Sequence, residues 1–178
     1  MTFRMKSLIA FLAILVLAGA GAWAQTATHN ITFDVTGFSS IQVQSSAAIN
    51  LTVSDGGTPG ADPVGSTDNT KYLQYTVITS TSVSIGVTLA SVTDSIPAGC
   101  ELHVTATPES SPAHGVSGGE ITLVMGANAG LVTAIPSCAT GSTATDGARL
   151  LFELVVVTPA NLDPDDNDNE ISVTYTIS

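Results

Sequence analysis

The sequence predicts an all-β fold: a single antiparallel β-sandwich of about eight or nine strands, following a cleaved signal peptide. Three observations carry this expectation. Apolar and polar residues alternate with period two in run after run along the chain. Clusters of Gly, Pro, Asn, Asp and Ser separate those runs at short intervals, as turns between strands do. Beyond the N-terminal apolar run no stretch sustains a 3.6-residue period, and abundant Ser and Thr keep the alternate positions polar without charge.

The N-terminus reads as a targeting segment over residues 1–24. Arg4 and Lys6 precede an apolar run, Leu8 to Leu17, that falls short of the ~20 residues a membrane span requires. Ala22-Trp23-Ala24 then supplies the small residues of a signal-peptidase site before Gln25. Residues 25–178 are expected to form one exported domain, with no membrane insertion of the mature chain.

The strands follow in order. Ile31-Thr32-Phe33-Asp34-Val35-Thr36 alternates cleanly, Ile41-Gln42-Val43 is a short piece, and Ile49 to Val53 alternates again. The longest loop runs from Asp55 to Asn69. Leu73 to Val77 and Val83 to Leu89 are joined by Thr79 to Ser82, which reads as a hairpin connection. Cys100 to Ala106 and Ile121 to Met125 keep the period, and Gly126 to Gly130 reads as a turn. Leu150 to Val157 is nearly all apolar and is expected to be covered on both faces. A polar loop, Pro159 to Asn169, precedes the last strand, Ile171 to Ile177.

Charge narrows the partners. The chain has 4 Lys+Arg against 15 Asp+Glu, and with Arg4 and Lys6 in the signal only Lys71 and Arg149 remain in the mature chain. Nucleic acid and anionic lipid both require clustered basic residues, so neither is an expected partner. Export permits a disulfide, and Cys100 and Cys138 allow one intramolecular pairing. Closing that loop would stabilise the fold by roughly 3–4 kcal/mol.

Few residues suggest chemistry. Asp163, Asp165 and Asn167 share the opening spacing of an EF-hand loop and form the Ca²⁺ candidate. The pattern then breaks, because Asp168 stands where Gly is needed and Thr174 where Glu is needed. A solvated acidic loop is the favoured reading of this run, and no other cofactor is expected. Gly115-Val116-Ser117-Gly118-Gly119 matches G-x-S-x-G, but a nucleophile elbow needs a strand before the Ser and a helix after it. Here a Pro-containing loop precedes and a strand follows, so it reads as a Gly-rich loop and no enzymatic activity is expected.

The most informative feature is the alternating segment at the start of the mature chain. Ile31, Phe33 and Val35 share one face, and residues 25–36 could pair within their own domain or be donated to a neighbouring copy. Ile171, Val173, Tyr175 and Ile177 would frame the accepting groove or the core edge. The exported all-β chain, its Ser/Thr-rich strands, its cysteine pair and its ending, Val173-Thr174-Tyr175-Thr176-Ile177-Ser178, resemble secreted bacterial fimbrial and pilin-like subunits, including the spore-coat-U-like group. The chain departs from chaperone–usher pilins in three places. Tyr175 is not penultimate, Asp165 stands where those families carry Gly, and the cysteines lie in the middle and late part of the chain. The resemblance implies an Ig-like or pilin-like sandwich that serves as a structural subunit of an extracellular or cell-surface fibre and self-associates into a homo-oligomer or filament. The alternative is a secreted adhesin or carbohydrate-binding module that uses its loops and Ca²⁺.

Overall fold

The computed structural model describes residues 30–45, 47–91, 95–165 and 169–178. The predicted signal (1–24) and Asn167 lie outside them. The chain divides into two compact units, Met1–Val35 and Thr36–Ser178. In the first, the described residues 30–35 belong to no helix or strand.

The second unit is all-β, and every strand-to-strand ladder in it is antiparallel. Its strands are β1 (Phe38–Gln44), β2 (Val53–Ser54), β3 (Val64–Gly65), β4 (Thr67–Ile78), β5 (Val83–Ser91), β6 (Cys100–Pro108), β7 (Val116–Ser117), β8 (Glu120–Thr122), β9 (Asn128–Ile135), β10 (Cys138–Ala139), β11 (Ala148–Val156) and β12 (Ile171–Ile177). Among the described residues one 3-10 turn covers Pro159–Asn161. One sheet has the order β1-β4-β11-β6-β8, with β10 also paired to β4. The second has the order β12-β5-β9-β7, and β2 and β3 form a separate ribbon.

Period-two alternation builds one core from both larger sheets. Leu73, Tyr75 and Val77 of β4, Leu102, Val104 and Ala106 of β6, and Ala148, Leu150 and Phe152 of β11 come from the first. Ile85, Val87 and Leu89 of β5 and Leu131, Val132 and Ile135 of β9 come from the second. Removing this apolar surface from water is the main favourable term in the fold.

Several expectations are corrected. Residues 31–36 form no strand, because the β1–β4 ladder ends at Phe38↔Ile78. In the 49–53 run only Val53 is in a strand, while Ile49 and Leu51 pack against the core from irregular chain. Thr79 to Ser82 is no hairpin: it carries the chain from β4 in one sheet to β5 in the other. The 121–125 run also changes sheet, since β8 ends at Thr122 and Met125 bridges to Leu89. β11 is not covered on both faces: Ala148, Leu150, Phe152 and Leu154 are buried, whereas Arg149 and Leu151 are exposed.

β9 is the strand that the alternation hides. Ile85 pairs with Val132 but Gly86 with Gly130, so Leu131 is an extra residue and both Leu131 and Val132 are buried. A second shift between Val83 and Ile85 accommodates Ala134, whose φ is +52°. Two bulges in eight residues erase the period of two.

The expected Cys100–Cys138 disulfide is not formed, and strand order explains why. Cys138 sits opposite Val77, near the end of β4. Cys100 sits opposite Val156, at the far end of β11. Leu73 pairs with Ala148, so the two cysteines occupy opposite ends of the sheet, on the order of 40 Å apart along the strands. A disulfide spans only about 4.4–6.8 Å between Cα atoms.

Candidate self-association surface

Residues 30–37 are exposed without exception. Ile31, Phe33 and Val35 are 65%, 85% and 79% exposed, a concentration of apolar side chains that single surface hydrophobics do not make. They have the same sequence parity as Ile41 and Val43, the β1 residues that sit opposite the core residues Tyr75 and Leu73. The alternation of apolar residues in the sequence thus runs from Ile31 into β1, although residues 31–36 are not in a strand.

The last strand supplies the other predicted residues. Ile171, Val173, Tyr175 and Ile177 are each partly buried against the core, while Thr174 and Thr176 are exposed. Their neighbours Ile85, Val87 and Leu89 on β5 are fully buried, so cover over the core thins towards β12. Burial also pushes the Tyr175 phenol above its ordinary range. Reciprocal bonds between Ser84 and Ser178, 2.9 Å each, fix the phase of the ladder. In that phase Ser172, Thr174 and Thr176 turn their backbone groups towards β5. Ile171, Val173, Tyr175 and Ile177 turn theirs to the opposite side, where the described residues include no paired strand.

The remaining candidates are a polar loop and a short strand. Asp163 Oδ1 accepts the Asp165 N–H at 2.9 Å, a local turn in an exposed loop. Among the described residues no group of three or more His, Cys, Asp or Glu is arranged to hold a metal ion. Ser117 of the G-x-S-x-G run lies in β7, and its Oγ accepts the Gly119 N–H at 3.2 Å.

One polar cluster escaped the sequence reading. His103 Nδ1 lies 3.1 Å from Glu120 Oε1, and its Nε2 lies 3.1 Å from Glu101 Oε2 and 3.2 Å from Thr122 Oγ1. The pairing of His103 with Thr122 tethers β8 to β6 through these side chains. Residues 17 and 19 positions apart meet only through strand register, so only the alternation of His103 with Glu101 was visible beforehand.

Among known proteins, no family model, no curated protein and no solved structure matches this chain.

Proposed function

We propose that this chain is a structural subunit of an extracellular or cell-surface fibre, exported after cleavage behind Ala24. In this reading its β-domain is a single sandwich, and copies join by donating the segment around Ile31, Phe33 and Val35 to a neighbour. One observation carries the reading: three apolar side chains at alternate positions stand 65–85% exposed immediately ahead of an edge strand in the sequence. Exposed apolar side chains gain about 25 cal/mol for each Å² they remove from water, and backbone groups at an open strand edge can take up a further ladder. Strand addition satisfies both at once, and it needs no energy source outside the cell.

The acceptor in this reading is the flank framed by Ile171, Val173, Tyr175 and Ile177. The test deletes residues 25–36 from the mature protein and examines the product by negative-stain microscopy. Loss of filaments with an unchanged melting temperature is expected. Filaments that persist unchanged remove the donation mechanism.

A further inference from the structure

We infer that the open edge of β1 takes a second copy of the same chain, edge to edge and antiparallel, about a twofold axis through Ile41. This goes beyond strand donation, which uses the residues ahead of β1. Among the described residues β1 is hydrogen-bonded to β4 alone, in seven consecutive register pairs without a shift. Its sequence, Phe38-Ser39-Ser40-Ile41-Gln42-Val43-Gln44, contains no charge and no proline. Natural edge strands are ordinarily blunted by Lys, Pro, bulges or shortness. β1 carries none of these devices.

The other edges are less suited to pairing each with its own counterpart in a second copy. β7 has 2 residues. β8 has 3 and carries Glu120. β12 is preceded by Glu170 and by the acidic run from Asp163. Two copies of a chain with 15 Asp+Glu and 4 Lys+Arg repel each other over most of their surface. β1 is flanked by Gly37 and Ser45, and no charged residue occurs between Asp34 and Asp55. Joining two β1 edges therefore brings together no charges of β1 or of the chain on either side of it.

The pairing is self-complementary. With Ile41 on the axis, Ser40 of each copy lies opposite Gln42 of the other, Ser39 opposite Val43, and Phe38 opposite Gln44. Gln42 is already held in place, because its Nε2 donates to Gln74 Oε1 at 2.7 Å. Its own carbonyl oxygen can accept a hydrogen bond from the facing Ser40 hydroxyl. Val43, 38% exposed on the core-side stripe, and Phe38, 57% exposed, gain cover. The result is one sheet running continuously through two molecules.

The test uses the chain from Gln25 onward with Phe33→Asp, which blocks donation. Its mass is read by light scattering on a sizing column across micromolar to hundred-micromolar concentrations. A twofold mass is expected, falling to the single-chain mass when Ser40→Lys and Gln42→Lys are added, with the melting temperature retained. If Gln42→Lys prevents folding by breaking the Gln74 contact, Ser40→Lys alone is expected to give the single-chain mass. A single-chain mass for Phe33→Asp at every concentration, or a dimer that survives the lysines, overturns the inference. Filaments that survive Phe33→Asp count against donation instead, and their loss on adding the lysines supports the β1 pairing.

Discussion

At the scale of single residues, Tyr75 shows how much the core asks of one side chain. It is buried in the core, and its hydroxyl donates to the carbonyl of His114. Burial, with the neighbouring Cys138, pushes its phenol well above the ordinary tyrosine value of about 10. Burial shifts Tyr175 in the same direction. For a group raised on folding, the stabilisation is complete below the unfolded pKa and is lost as pH climbs from there towards the folded value. Stability should therefore hold to about pH 10 and fall above it, which urea denaturation at a series of pH values would read. Tyr75→Phe should cost about 0.5–1.5 kcal/mol at neutral pH through the lost hydrogen bond, and it should flatten the alkaline decline. Asp146 has the opposite sign. Hydrogen bonds from Thr143 hold its carboxyl below the ordinary range, so its contribution is present at neutral pH and fades as acid protonates it. Gly147 tests the backbone: its φ is +102°, and an added Cβ would lie 2.3 Å from the Leu73 carbonyl oxygen. Gly147→Ala should destabilise by about 1–3 kcal/mol or more in the same assay.

At the scale of elements, regular strands were legible and irregular ones were not. β5, β6 and β12 stand where alternation placed them, because a strand with one face on the core repeats every two residues. β9 was hidden by its two bulges, which put Leu131 and Val132 side by side in the core. β11 misled in the other direction: Leu151 is apolar yet exposed, so its composition suggested two covered faces where only one exists. Leu150→Ala should therefore cost about 2–5 kcal/mol, while Leu151→Ala should fall within about 0.5 kcal/mol of the parent. Chemical denaturation of the pair checks which face of β11 is buried. For the candidate surface, the residue identities of Ile31, Phe33 and Val35 were legible but their state was not. Alternation shows which side chains share a face, and it is silent on whether a paired strand lies beside them.

At the scale of the whole molecule, what the sequence withheld was strand order. Composition and period are local properties, whereas the neighbours of β4 are set by pairings between distant segments. The cysteine pair is the sharpest example. Sequence spacing makes a closed loop attractive, yet the order β4-β11-β6 sends Cys100 and Cys138 to opposite ends of the sheet. A reducing agent should therefore leave the melting temperature unchanged, whereas an intramolecular disulfide would make it fall. The same dependence on register hid the cluster around His103 until β8 was placed beside β6.

In the proposed fibre, residues around Ile31, Phe33 and Val35 become a strand of a neighbouring copy. Hydrogen exchange of the assembled protein reads this change, because a ladder bond slows amide exchange and an exposed segment outside any strand does not. The amides of residues 31–36 should exchange rapidly in dissociated protein and become protected in filaments to a degree comparable with β12. Filaments in which these amides still exchange as fast as in dissociated protein would rule out strand donation.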